Sequence, residues 1–180
     1  MAVEVRERLW TYEDYVRGRI PPEVSEIING EEVKKMPTGG FHARLELLIG
    51  MFLEKALKGY IVLVGEVALL LSKEPFVLRG ADIVAVSKER MKEIPEGAIE
   101  IPPDLIVEIV SPSDSAEYVQ SKIRDYRDWG VLRQVWIYPK VREVVVVDEG
   151  GISVYSEEDE VEVLKGVRFR LGEFVRRLGD

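Results

Sequence analysis

At 180 residues and 46% hydrophobic content, the chain has the size of one domain able to bury its own core. Having no cysteine and one histidine, it excludes disulfides, thiolate nucleophiles, thiolate zinc sites and a histidine-rich metal cage; any metal must be held mainly by carboxylate oxygen, which favours Mg2+ or Mn2+. The net charge of −8 runs against broad nucleic-acid binding, whose affinity comes largely from lysine and arginine displacing counterions.

No apolar run approaches the length of about eighteen residues that a membrane span needs, and Met1 to Trp10 is too charged for a signal peptide, so a cytoplasmic protein without a membrane partner is expected. The 32% charged content, with one asparagine and two glutamines, is a pattern associated with high growth temperature. Charge is also uneven. Lys122, Arg124, Arg127 and Arg133 form a basic stretch that leaves room for a local basic face, while acids crowd Glu157 to Glu162.

In chain order, Thr11 and Asp14 have the spacing of a helix-capping pair and predict a short helix over Tyr12 to Arg17, stopped by Gly18 and Pro21-Pro22. Val24 to Ile28 and Glu32 to Met36 flank Asn29-Gly30, the dipeptide that best takes the positive φ angles of a type I′ turn, so a β-hairpin is predicted. From Phe41 to Leu57, apolar residues recur at three and four positions and Gly59 ends the run, the pattern of a long amphipathic helix. Tyr60 to Val64, Glu66 to Leu71, Ala81 to Val86, Leu105 to Val110, Val135 to Tyr138 and Val144 to Val147 read as strands of one sheet. A helix opens at Ser113 and runs to about Asp128, with Gly130 just past its end. Beyond Gly150-Gly151 a further hairpin and a terminal helix, Leu171 to Leu178, complete the chain. The fold class expected is α/β, with a mixed α+β sheet flanked by helices, and no repeat or linker marks a second domain within residues 1–180.

Glu108 is the sharpest anomaly: an acid in the middle of Leu105-Ile106-Val107-Glu108-Ile109-Val110, a segment apolar enough to be covered on both faces. Alternation puts Asp104, Ile106, Glu108 and Val110 on one face, and Asp82, Val84 and Val86 together on their own strand. If the two strands are neighbours, Asp82 and Glu108 converge, and a hard divalent ion between them relieves their repulsion. Lys122 shares a helix face with Tyr118, Val119 and Tyr126, and so points toward the sheet. Each member has an ordinary reading as well: Glu108 as half of a buried ion pair, Lys122 as a surface lysine with its stem laid along the protein, Asp82 as a turn cap. The constellation carries the inference. Glu26 reads either as a solvated strand acid or as an additional metal or water ligand, and His42 as a cap-region residue near the start of its helix.

The segments Ser25-Glu26-Ile27-Ile28-Asn29-Gly30-Glu31, His42, Asp82 to Ser87, Pro103 to Ser113 and Lys122-Ile123-Arg124-Asp125-Tyr126, followed by Gly130-Val131, resemble the Uma family of putative restriction endonucleases, in order from about Thr11 to Val147. The resemblance implies the restriction endonuclease-like core of the PD-(D/E)XK nucleases, with Asp82 and Glu108 holding Mg2+ and Glu26 contributing from the hairpin. Val110 stands where that superfamily places a lysine after the glutamate, and Ala81 where it places a proline before the aspartate. The resemblance further implies that Lys122, from the helix, reaches the space of the missing lysine.

The expected activity is metal-dependent hydrolysis of DNA phosphodiester bonds by Asp82, Glu108 and Lys122, assisted by Glu26, with a homodimer suited to cutting both strands. The alternative is a nuclease-like fold that has lost catalysis and serves as a binding module, a reading that the acidic charge and the missing E-x-K favour. A carboxylate-pair glycosidase fits less well, because it leaves Lys122 without a role.

Overall fold

The computed structural model describes residues 9–24, 26–33 and 37–178. Helix α1 (Tyr12–Val16) opens on the expected box: the Thr11 hydroxyl accepts from the Asp14 amide at 3.2 Å, and the Asp14 carboxylate accepts from the Thr11 amide at 3.3 Å. Strands β1 (Glu26–Ile28) and β2 (Glu31–Val33) pair across Asn29 and Gly30, whose φ angles of 52° and 85° are those the tight turn requires. Of the expected arms, Val24 precedes β1, while Ser25 and positions 34–36 lie outside the described residues.

Helix α2 (Gly40–Ala56) buries Leu45, Leu48, Ile49 and Leu53. A glycine inside a helix costs about 1 kcal/mol against alanine. Gly50 is there because a Cβ would stand 2.6 Å from Val64 Cγ1, on the strand beneath. That strand, β3 (Tyr60–Lys73), joins two predicted segments into one; Gly65 and Glu66 take φ angles of 95° and 52°, and the register with β4 (Phe76–Ser87) shifts between Val64 and Val67. The chain therefore passes the sequence break at Gly65 as a bulge instead of a turn.

Next come β5 (Leu105–Ile109), helix α3 (Ala116–Trp129), β6 (Arg133–Tyr138), β7 (Glu143–Asp148) and β8 (Gly151–Ser156). Helix α3 starts two residues later than the sequence pattern. Asp114 accepts from the Ser111 amide and closes its own turn, so Ser115, not Ser113, becomes the N-cap and accepts from the Tyr118 amide at 3.1 Å. A Ser115→Ala substitution is expected to cost about 1 kcal/mol, read as a lower denaturation midpoint with an unchanged m value. Gly130, with a φ of 104°, ends α3 in the left-handed conformation expected of it. A two-stranded ribbon, β9 (Val161–Leu164) and β10 (Val167–Phe169), and helix α4 (Leu171–Arg176) follow.

The main sheet runs β2-β1-β4-β5-β6-β7-β8, and among the described strands only β5 and β6 are parallel, joined by α3 as the crossover. It is a mostly antiparallel mixed sheet flanked by helices, the expected class. Leu105, Val107 and Ile109 pack with Ile83, Ala85 and the buried face of α2, joined by Val161, Val163, Phe169 and Phe174 from the C-terminal elements. Ile106, Val84 and Trp136 pack with Val119, Ile123 and Tyr126 of α3. Strand β3 runs along one edge of β4, so β1, paired at Leu78, and β5, paired from Ile83 to Ala85, share the other. Between them Arg79 to Asp82 forms a fork in the sheet, and the polar residues of interest collect there.

Candidate active site

Strand alternation turns Glu108 toward α3, and the register Ile83↔Val107, extended by one residue, sets Asp82 across from it. The expected convergence of these two acids is what the backbone builds. Glu108 is 5% exposed, and its Oε1 accepts from the Tyr126 hydroxyl at 2.7 Å and pairs with Lys122 Nζ at 2.8 Å. Burial pushes the Glu108 carboxyl up to about 7; Asp82 pushes the same way, and Lys122 opposes both.

Lys122, only 3% exposed, reaches inward from α3 to lie 3.2 Å from Glu26 Oε1 as well. Burial alone would lower its ammonium, but Glu108, the Tyr126 hydroxyl and Glu26 raise it well above the ordinary lysine value. The group is a cation locked in place. Within the basic stretch, Lys122 is turned into the protein and Arg133 binds Asp148 and the Glu162 carbonyl, while Arg124 and Arg127 are exposed. Basic side chains instead reach the cleft at Lys140 and Arg142.

Asp82 accepts from the Ile109 amide through Oδ2 at 2.7 Å, while Oδ1 lies 3.2 Å from His42 Nε2. His42 stands in the first turn of α2 but does not cap it; Gly39 is the N-cap, and the imidazole points to Asp82. Its Nε2 is the one buried side-chain nitrogen or oxygen among the described residues without a hydrogen-bond partner, although Asp82 Oδ1 stands 3.2 Å away. Burial disfavours the imidazolium, yet Asp82 and Glu46 together raise its pKa. Asp82, Glu108, Lys122 and His42 all line one cleft of about 830 Å³. Two carboxylates and an orphaned imidazole nitrogen on one wall are a donor set that fits a divalent cation.

The sequence profile of Uma2, described as a putative restriction endonuclease family, matches residues 12–172. The chain belongs to this family. No curated protein matches it. Among solved structures, it is similar to a "putative nuclease belonging to DUF820" from Anabaena variabilis ATCC 29413, with a TM-score of 0.77 and 19% identity over 93% of this chain and 98% of that one. At that identity the likeness shows a shared fold.

In this Uma2 member Glu26 is fully buried and is fixed by its neighbours. Oε2 accepts from the Tyr118 hydroxyl at 2.8 Å and from Arg79 Nη1 at 3.0 Å, and Oε1 accepts from the Gly80 amide at 3.1 Å. Both oxygens are committed to protein donors, and Oε1 also lies against Lys122 Nζ. Arg79, itself fully buried, also binds Asp125 and Ser121. The sequence pattern overlooked Arg79, which falls before the expected strand Ala81 to Val86, and Glu46, which follows His42 by one helical turn. An arginine between Val77-Leu78 and Gly80-Ala81 is the same kind of anomaly as Glu108, and His-x-x-x-Glu is a one-face helical spacing, so both signals were present.

Proposed function

We propose that this protein is an endonuclease that hydrolyses phosphodiester bonds in DNA and depends on Mg2+ or Mn2+. The observation that carries the reading is the buried ammonium of Lys122 at 2.8 Å from Glu108, on the floor of the cleft that Asp82 also lines. Asp82 and Glu108 are the residues that would hold the ion. A divalent ion there supplies a Lewis acid that lowers the pKa of water and offsets charge developing on the phosphate. Lys122, kept protonated by its neighbours, places a fixed positive charge beside the reacting phosphate and donates hydrogen bonds to the attacking water. Its raised pKa favours this orienting role over proton abstraction. Glu26 and Tyr126 hold the ammonium and the Glu108 carboxylate in register. A homodimer is the arrangement that cutting both strands of a duplex asks for.

Supercoiled plasmid, single-stranded DNA and branched DNA, incubated with the protein and Mg2+, Mn2+ or EDTA, test the reading. Cutting that needs metal is the expected result. DNA left intact throughout, with no metal-linked rise in Tm, would leave a non-catalytic binding module instead.

The pH dependence has a definite sign. Between the ordinary carboxyl value of 4.5 and about 7, folded Glu108 holds a proton that the unfolded chain has lost, so stability of the metal-free protein falls as pH rises through that window. Metal binding favours the ionised carboxylate, so the thermal shift on adding Mn2+ should grow as pH passes through about 7. Melting curves with and without Mn2+ across that range measure both slopes.

A further inference from the structure

We propose that His42 and Glu46, both on α2, join Asp82 as ligands of the metal, giving a mixed nitrogen and oxygen site that prefers a transition ion such as Mn2+ over Mg2+ or Ca2+. The inference rests on the metal-dependent reading above and moves the ion toward α2.

Three observations converge. His42 Nε2, an Asp82 carboxylate oxygen and a Glu46 carboxylate oxygen all lie within 4.8 Å of one another. Ligands at right angles on an ion with bonds of about 2.1 Å stand about 3 Å apart, close to the 3.2 Å between Nε2 and Asp82 Oδ1. Glu46 Oε2, at 3.9 Å from Nε2, needs only a small side-chain rotation to join. Second, the oxygens on the far side are already engaged: Asp82 Oδ2 accepts from the Ile109 amide, and Glu46 Oε1 accepts from the Gly65 amide at 2.6 Å. These bonds orient Oδ1 and Oε2 as the remaining donors, as outer contacts do at metal centres. Third, Nε2 is buried without a hydrogen bond. In the Nδ1–H tautomer the Nε2 lone pair faces a carboxylate oxygen, and a cation between them turns that repulsion into two bonds. Imidazole nitrogen is a good donor to first-row transition ions and a poor one to Mg2+ and Ca2+, which fixes the direction of selectivity.

His42 is the sole histidine of the chain, so imidazole nitrogen coupling in a tag-free protein can come from nowhere else. Pulsed electron paramagnetic resonance of the Mn2+-loaded protein is expected to show 14N modulation from a coordinated imidazole. In His42→Ala the modulation should vanish and Mn2+ affinity fall about tenfold or more, while Ca2+ affinity changes less than threefold. Mn2+ bound by the native protein with no nitrogen coupling would overturn the inference, leave the metal-dependent reading intact and make His42 an imidazolium partner of Asp82. No Mn2+ bound at all would remove both. The native-protein signal decides the matter even if the variant does not fold.

Discussion

A Lys122→Met variant is expected to lose about a thousandfold of the metal-dependent DNA cleavage rate, the scale on which one fixed transition-state charge acts in a dry site. The strand offers no second lysine, since Ile109 and Val110 follow Glu108. Lys122 thus has no stand-in: Lys140 and Arg142 line the cleft but are not paired with Glu108. Removing the ammonium also leaves Glu108 beside Asp82 without its cation, so the Glu108 carboxyl should titrate still higher and metal binding shift to higher pH. The variant should remain folded, because Glu26 keeps Arg79. Single-turnover cleavage together with circular dichroism separates the two effects. A folded Lys122→Met protein within tenfold of the native rate would show that the charge at Glu108 is structural and that the reaction runs elsewhere.

The second large effect concerns stability. Arg79→Met should destabilise the protein by about 3–5 kcal/mol, the cost of breaking a buried ion pair from one side. Arg79 and Glu26 are both fully buried, and Arg79 is the residue that also ties Asp125 and Ser121 of α3 to β4. With it gone, Glu26 keeps Lys122 but loses its second cation, and the Asp125 carboxylate loses both of its guanidinium bonds. Urea unfolding measures the loss. Adding Glu26→Gln to Arg79→Met removes the stranded charge and should recover part of it, whereas a strictly additive double variant would show that the pair does not interact.

Much of this site could be read from the sequence because its central residues break a strong local pattern. Glu108 interrupts an apolar strand, and Lys122 sits between Val119 and Tyr126 on the face of α3 that is in fact buried. Periodicity gives the face of a residue but not its partners. The sequence therefore offered both a solvated and a functional reading of Glu26, and only the pairing of β1 with β4 brings its carboxylate between Arg79 and Lys122. Position alone makes His42 a cap-region residue for a similar reason; in the structure the backbone of Gly39 opens α2, and the imidazole reaches a strand 40 residues away in sequence, at Asp82. Strand β4 starts at Phe76, ahead of the expected Ala81, and Gly80 donates its amide to Glu26 within a continuous strand. Boundaries set by side-chain competition, such as the start of α3, depend on which of several neighbouring serines wins the cap.

The fork in the sheet has a consequence for how the molecule breathes. Among the described residues, strand β1 spans three positions and meets β4 at the pair Ile27↔Leu78, with Gly30 donating to the Phe76 carbonyl beyond it, while β5, β6 and β7 are continuously laddered. Amides of the β1–β2 hairpin should therefore exchange with deuterium well ahead of those in β5 to β7, as a small unit opening on its own. Each such opening withdraws Glu26 from Lys122 while Asp82 and Glu108 stay in place, so on heating the protein is expected to lose the grip on its lysine before it loses the acids that face it.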